Sequence, residues 1–204
     1  MIFYSDKIEA DIIDNNELAV IADKIDQFAA DIDMLFTYFT FSIIGLDYIK
    51  NLLMFKSNKV AFYCMDDEFD IRNCPSAMIY SKQTRNTGDT IIYYIMMICT
   101  QRRFKKMGYA TSLLNQFIEK VRNDTIDSKK PVKIVLSSID NVVSYYQNYG
   151  FEVVDYTLES YPYLLAFEKY DESKIYTIME LDVHNLAGPP IKYINNINEY
   201  QQKT

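Results

Sequence analysis

A basic segment between a predicted strand and a predicted helix is the part of this sequence best suited to chemistry. It reads Gln101-Arg102-Arg103-Phe104-Lys105-Lys106-Met107-Gly108-Tyr109-Ala110-Thr111. Apolar residues before it predict a strand, and apolar positions spaced along one helical face predict a helix over Gly108–Val121. The first N–H groups of a helix have no partner within the helix, and its dipole stabilises a nearby negative charge by about 0.3–1 kcal/mol. The arrangement therefore predicts a cradle for an anion such as phosphate.

Two small residues and a group of cations favour a diphosphate as that anion. Gly108 and Ala110 lack bulk, so a diphosphate can approach the backbone to hydrogen-bond distance. The local positive charge comes from Arg102, Arg103, Lys105 and Lys106. Taken alone, a solvated loop that keeps the connection between strand and helix soluble explains these residues equally well.

The composition limits the classes of function that the chain can have. A formal charge of −7 over 204 residues repels nucleic-acid backbones and anionic lipid headgroups, so neither partner is expected. The most apolar stretch, residues 34–46, is shorter than the roughly 20 residues that span a bilayer. The N-terminus lacks the features of a signal peptide, and Cys64, Cys74 and Cys99 match no zinc or redox spacing. These features favour a reduced protein in the cytoplasm, or in the host cytoplasm if the source is a virus.

The pattern along the chain predicts one domain over residues 1–183 and a tail over 184–204. Within that domain, residues 1–58 form a variable part, with a strand at Ile2–Ile8, a helix from Leu18 and a second helix at Met34–Phe55. A strand is the alternative over the first half of that second helix, because it is rich in β-branched and aromatic residues. Residues 59–183 form a core of strands and helices. The predicted core strands cover Lys59–Met65, Ser76–Ser81, Thr90–Thr100, Val132–Leu136, Phe151–Tyr156 and Ile175–Val183, and the core helices cover Gly108–Val121 and Asn141–Asn148. Such an order predicts an α/β fold with a central sheet of mixed direction.

Three motifs in this core occur in a telling order. They are Lys105-Lys106-Met107-Gly108-Tyr109-Ala110 followed by Leu113-Leu114, then Asn141 with Tyr146, Gly150 and Phe151, and finally Ile178-Met179-Glu180-Leu181. With these motifs the stretch from Lys59 to Val183 resembles the GNAT superfamily of acyl-CoA-dependent N-acetyltransferases, whose pyrophosphate loop reads Arg/Gln-x-x-Gly-x-Gly/Ala. The resemblance implies a GNAT-like, mostly antiparallel sheet of mixed direction, with splayed strands and flanking helices.

The resemblance also implies a cofactor and a reaction. Acetyl-CoA would donate its acetyl group directly to a primary amine of a small molecule or a protein, without a metal. Backbone groups of Met97, Ile98 and Cys99 would contact the pantetheine arm. The cofactor's diphosphate would lie on Met107, Gly108, Tyr109, Ala110 and Thr111, beside the cations Arg103, Lys105 and Lys106. Lys105 departs from the family's usual Arg or Gln, and Lys106 stands where a further Gly is common.

One catalytic side chain is implied, and other roles stay open. Tyr146 matches the family's general acid, while Asn141 is either a cofactor contact or the N-cap of its helix. No general base can be identified, because the acidic residues Asp66, Asp67, Glu68 and Asp89 are expected to be solvated. His184, the only histidine, is expected on the surface or in packing.

The acceptor and the tail are less constrained by the sequence. The stretch from Glu159 to Ser173 is acidic and aromatic, which suits a cationic amine, although packing of its rings is the stronger expectation. The tail is compatible with a fold-back onto the domain or with a homodimer contact. A non-catalytic acyl-CoA-binding or protein-interaction module with the same fold is the alternative to an enzyme. A nucleic-acid binder is disfavoured by the charge of −7.

Overall fold

The computed structural model describes residues 1–5, 18–40, 46–55, 57–84, 89–139, 142–154, 161 and 176–184. Its helices are α1 (Leu18–Thr40), α2 (Leu46–Met54), α3 (Tyr109–Asp124) and α4 (Val143–Gln147). Its strands are β1 (Ile2–Tyr4), β2 (Asn58–Tyr63), β3 (Ser76–Gln83), β4 (Ile91–Thr100), β5 (Val132–Ile139), β6 (Glu152–Val153) and β7 (Tyr176–Asp182). Within the described residues, these seven strands form one sheet in the order β1-β2-β3-β4-β5-β7-β6.

The sheet is mixed, as the sequence predicts. β1 pairs with β2, β5 with β7 and β6 with β7 in antiparallel fashion, whereas β4 and β5 are parallel. A parallel pair needs a long crossover, and α3 supplies it because its apolar face can pack on the sheet. The predicted α/β class, a mostly antiparallel sheet flanked by helices, is confirmed.

Strands β4 and β5 pair over only part of their lengths. Their ladder joins Ile91–Ile95 to Val132–Leu136, although β4 continues to Thr100 and β5 to Ile139. Exposure along β4 changes at the same point, because Ile92–Ile95 are buried and every residue from Met96 to Thr100 is half-exposed. The ladder therefore ends early, as the predicted splay of these strands requires.

The first helix is longer than its predicted boundaries. The prediction of a separate second helix over Met34–Phe55 is wrong, because residues 34–40 continue α1 and α2 begins only at Leu46. Buried side chains recur every three or four residues through this region, at Phe28, Ile32, Leu35, Phe36 and Phe39. Burial of one continuous apolar face outweighs the modest helix propensity of aromatic and β-branched residues.

Other boundaries differ by a few residues. β5 runs three residues further than predicted, to Ile139, and β6 is shortened to Glu152–Val153. Asn141 and most of the tail lie outside the described residues. None of the helices in the described part of the chain combines the length and apolarity that crossing a bilayer requires.

The chain divides into two compact units, and the division falls inside β3, β4 and α3. The described parts of residues 1–79 and 97–114 form the first unit, where Phe62 packs against Phe28 and Phe69 with ring centroids 6.2 and 5.2 Å away. In the second unit, Phe117 of α3 packs against Tyr80 at 4.7 Å and Tyr93 at 6.2 Å. Such ring pairs add about 0.5–1.5 kcal/mol each beyond the buried area. The single domain over 1–183 stays a prediction.

Candidate active site

The basic segment is a compact loop between β4 and α3. A short 3-10 turn over Arg102–Phe104 opens it, with the Phe104 N–H donating to the carbonyl of Gln101 at 2.9 Å. The backbone then has a positive φ at two positions, 67° at Lys106 and 83° at Gly108. A non-glycine residue costs about 1–2 kcal/mol in this region, which explains why the family commonly has Gly where this chain has Lys106.

Gly108 ends this loop and caps α3. Its carbonyl accepts the N–H of Ser112 at 2.8 Å, so the helix begins at Tyr109 as its N1 residue. The first turn carries no acidic side chain, and none of its own carboxylates therefore competes with an external anion for the helix dipole. The predicted diphosphate contacts, Met107–Thr111, thus lie at the end of this loop and in the first turn of α3.

The four cations of the loop are exposed to solvent. In the described part of the chain, none of them forms an ion pair within 4.0 Å. Arg103 is partly engaged, since its Nε donates to Oε1 of Gln101 at 3.1 Å and its guanidinium lies 4.6 Å from the Phe104 ring centre. Arg102, Lys105 and Lys106 are therefore the cations of this loop best able to turn toward a phosphate group.

Sequence reasoning missed Gln101, which anchors the start of the loop. Only 5% of this residue is exposed. Its backbone N–H donates to the Pro75 carbonyl at 2.9 Å, and its Nε2 donates to the Cys74 carbonyl at 3.2 Å. An amide side chain directly after an apolar strand was the available signal, because a buried polar group must find partners.

The prediction that the cysteines are reduced is wrong for two of the three residues. Cys64 and Cys74 form a disulfide with Cα atoms 4.1 Å apart, and Cys99 is free. Cys64 directly follows β2, and Cys74 lies two residues before β3, the neighbouring strand. Strand pairing thus brings the two thiols together, and no sequence spacing rule for zinc or redox motifs captures that effect.

The predicted pantetheine contacts on β4 are Met97, Ile98 and Cys99, all half-exposed. The Cys99 carbonyl accepts the Ser76 hydroxyl at 2.7 Å, which directs the backbone groups of Cys99 toward β3. Both backbone groups of a strand residue point to the same side, and the side alternates along the strand. Ile98 therefore presents its N–H and C=O to the opposite edge, which lacks a β5 partner in the described ladder.

Although residue Cys99 as a whole is half-exposed, its thiol group is buried. Burial raises the pKa of that thiol to about 12, and the nearby Lys105 offsets only part of the effect. Alkylation requires the thiolate, whose fraction at pH 8 falls by about a thousandfold when the pKa rises from 9.0 to about 12. We expect iodoacetamide to label native Cys99 at pH 8 on the order of a thousandfold more slowly than the same protein in urea, as followed by mass spectrometry. Equal labelling rates would show an ordinary, accessible thiol.

Tyr146 lies on α4 and is fixed by the way that helix ends. Gly150 has a φ of 89°, the Phe151 N–H donates to the Tyr146 carbonyl at 3.2 Å, and the Gly150 N–H donates to the Gln147 carbonyl at 2.9 Å. These two bonds form a Schellman cap, whose apolar contact here is the Tyr146–Phe151 ring pair at 5.7 Å. The Tyr-x-x-x-Gly-Phe motif thus describes a helix terminator that orients a buried tyrosine.

The remaining candidate groups lie where the sequence suggests. The acidic residues Asp66, Asp67, Glu68 and Asp89 are exposed, and the first three line an open cavity of about 630 Å³ along residues 66–73. His184 is exposed, and its backbone N–H donates to Oδ1 of Asp182 at 3.0 Å. Among the described residues, no group of three or more His, Cys, Asp or Glu side chains is placed to hold a metal ion.

Of the acidic aromatic stretch 159–173, the structure describes Tyr161. This residue is buried, and its hydroxyl donates to the carboxylate of Glu180 on β7. Glu180 also pairs with Lys133 of β5 at 2.6 Å. At this position the expected packing role of the ring is what the structure describes.

Comparison with known proteins connects this geometry to a family. Residues 77–161 match the model of the GNAT acetyltransferase domain family. That range contains β4, the basic loop that we call the cofactor loop after its predicted ligand, α3, β5, α4 and the Schellman cap. No relative was found among curated proteins by sequence.

Solved structures share the fold at low sequence identity. Tetrahymena GCN5 is 13% identical, with a TM-score of 0.52 over 78% of this chain and 88% of its own. Arabidopsis thaliana Naa50, in complex with the bisubstrate analogue CoA-Ac-MVNAL, is 15% identical, with a TM-score of 0.52 over 77% of this chain and 93% of its own. A chain of the NatC complex bound to Gag peptide and CoA is 12% identical, with a TM-score of 0.52 over 76% and 89% of the two chains.

Proposed function

We propose that this chain, whose residues 77–161 match the GNAT acetyltransferase domain model, is a GNAT acetyltransferase that moves an acetyl group from acetyl-CoA directly to a primary amine of a small molecule or a protein. The observation that carries the proposal is the backbone cradle at the start of α3. Gly108 with its φ of 83° caps that helix, and exposed cations without ion pairs in the described residues lie just before it. A diphosphate bridge is the anion that this cradle suits best.

The residues present fit a CoA thioester along its length. Lys105 and Lys106 can meet phosphate oxygens as point charges, although they lack the bidentate fork of Arg. Beyond the diphosphate, a pantetheine amide can hydrogen-bond to a strand edge in the manner of an added strand. Ile98 offers that edge, because its N–H and C=O face the side of β4 where the described ladder with β5 has ended.

The chemistry favours direct transfer to the amine. Acetyl-CoA would supply an acetyl group activated as a thioester. The neutral amine would form the C–N bond, the C–S bond would break, the nitrogen would release a proton, and CoA would leave as a thiol after protonation of its thiolate. Cys99 is unsuited to carry an acyl group in between, because burial raises its pKa to about 12. The acceptor must first lose a proton, which for an amine of pKa about 10.4 costs roughly 4.6 kcal/mol at pH 7.

The identity of the acceptor rests on proteins of the same fold. The Naa50 structure holds an analogue that joins CoA to a peptide, and the NatC complex holds a peptide together with CoA. These complexes support a peptide amine as one acceptor class for this chain. A small-molecule amine is the other class, and a substrate panel must contain both.

The decisive experiment measures binding and turnover on the same preparation. Calorimetry with CoA is expected to show stoichiometric binding, and acetyl-CoA with a panel of peptide and small-molecule amines is expected to release free thiol. CoA binding without release of thiol for any amine would favour a non-catalytic acyl-CoA-binding module. The absence of CoA binding would overturn the proposal.

A further inference from the structure

We propose that Gln101 is a positioning residue for CoA, and that it acts together with the Cys64–Cys74 disulfide to set the affinity of the cofactor loop. This inference rests on the proposed function, because it concerns the same loop. The disulfide closes the connection between β2 and β3, and we call residues 64–75 the clasp. The clasp supports the cofactor loop at both of its ends.

The first support lies at Gln101. Its backbone and side-chain N–H groups donate to two successive clasp carbonyls, those of Pro75 and Cys74, at 2.9 and 3.2 Å. The carbonyl and Oε1 of Gln101 face the loop, where they accept from the N–H of Phe104 at 2.9 Å and from Nε of Arg103 at 3.1 Å. This buried residue therefore joins the clasp to the 3-10 turn that opens the loop.

The second support lies at Tyr109, where α3 begins. The Tyr109 hydroxyl donates to Sδ of Met65 at 3.9 Å, and its ring packs on Tyr63, with centroids 5.5 Å apart. Met65 directly follows Cys64, just as Pro75 directly follows Cys74. The disulfide therefore ties together the two chain segments on which the two ends of the loop rest.

Fixing both supports fixes the loop between them. The positive φ values of Lys106 and Gly108 lie in this interval, so the direction of the cradle N–H groups depends on the separation of its ends. Reduction by a dithiol breaks the Sγ–Sγ bond, places two electrons and two protons on the cysteines as thiols, and converts the dithiol to its cyclic disulfide. The two supports then lose their covalent cross-link and are held together by non-covalent contacts, such as the Met65 N–H donating to the Asn73 carbonyl at 3.2 Å. The loop therefore loses part of its preorganisation for the diphosphate.

The test compares CoA affinities by calorimetry in the oxidised protein and in protein reduced with dithiothreitol. We expect reduction to raise the Kd for CoA about tenfold, and Gln101→Met to raise it by a similar factor. Because both changes release the same support, reducing the Gln101→Met variant should add less than a further threefold. Gln116→Met, an exposed residue of α3, is the matched control and should leave the Kd unchanged.

Two further measurements separate positioning from general damage to the fold. Circular dichroism confirms that each preparation is folded. Gln101→Asn, which keeps an uncharged amide but shortens its reach to the Cys74 carbonyl, serves if the methionine variant is unstable. At saturating acetyl-CoA the turnover number should stay within twofold of wild type, so the effect appears in KM alone. The Kd of a Cys64→Ser/Cys74→Ser variant for CoA should equal that of reduced wild type and should not change when dithiothreitol is added.

The outcomes distinguish this inference from the proposed function. If oxidised wild type binds no CoA, the proposed function fails and takes this inference with it. If wild type binds CoA but neither reduction nor Gln101→Met changes the Kd, the inference fails alone. If reduction and Gln101→Met each raise the Kd and their two factors multiply in the reduced variant, then the two changes act independently. That result would also overturn the inference that they act through one shared support.

Discussion

Replacing Gly108 by valine is expected to raise the Kd for CoA by about 100-fold or more. Gly108 has a φ of 83°, where a β-branched residue is a severe outlier with a cost of about 1–3 kcal/mol. The valine methyl groups would also stand where the diphosphate must approach the backbone. A 100-fold loss corresponds to about 2.8 kcal/mol. Steric exclusion supplies part of it, and relaxation of the strained free loop away from its binding conformation supplies the rest. Calorimetric titration with CoA measures it.

Gly150→Val is the matched control for this substitution. Gly150 also has a positive φ, 89°, so valine there meets similar backbone strain. It ends α4, however, and the proposed diphosphate cradle is built from other residues. We expect this variant to lose stability in urea while its Kd for CoA stays within about threefold of wild type. If the Gly108→Val protein binds CoA as tightly as wild type, then the backbone at the start of α3 does not bind the diphosphate.

The arrangement of strand, basic loop and helix around Gly108 was predictable because its determinants are local. A strand, a basic loop with Gly108, and an amphipathic helix follow one another in the sequence, and each signal depends only on near neighbours. The Schellman cap is similar, since Gly150 and Phe151 determine the end of α4 within a single turn. The family match over residues 77–161 covers both of these local patterns.

The support for that loop was not predictable, because it is long-range. Gln101 meets Cys74 across 27 positions, and Tyr109 meets Met65 across 44 positions. Only the pairing of neighbouring strands brings such residues together, and no periodicity reports it. The Cys64–Cys74 disulfide was not predicted for the same reason.

The boundary between α1 and α2 shows a third limit. Aromatic and β-branched residues from Met34 onward suggested a new element, but Phe36 and Phe39 continue the buried face that begins at Phe28. A helix end is set by where its apolar face stops finding partners, which depends on tertiary packing. Met34 and Tyr38 are exposed, so they lie on the solvent side of this helix and leave its buried face continuous.

Replacing Tyr146 by phenylalanine is expected to lower the turnover number for acetyl transfer by about 100-fold. The change removes one hydroxyl, and general acid catalysis contributes typically 10²–10⁴-fold. The ring pair of residue 146 with Phe151 and the two hydrogen bonds of the Schellman cap do not involve that hydroxyl, so the helix end should persist. The Kd for CoA is expected to stay within about twofold of wild type. Steady-state release of CoA thiol and calorimetry measure the two quantities.

Tyr145→Phe is the control that isolates the catalytic claim. Tyr145 is the adjacent, half-buried tyrosine of the same helix, and its hydroxyl lies 3.4 Å from that of Tyr149. It removes the same atom from the same element, yet nothing in the family motif assigns that hydroxyl to chemistry. A loss of turnover shared by both variants would therefore indicate disturbed packing of α4. If Tyr146→Phe leaves the turnover number unchanged, another group donates the proton to the leaving thiolate. If Tyr146→Phe alone lowers the turnover number, that proton donation is assigned to Tyr146, whose position the Schellman cap fixes.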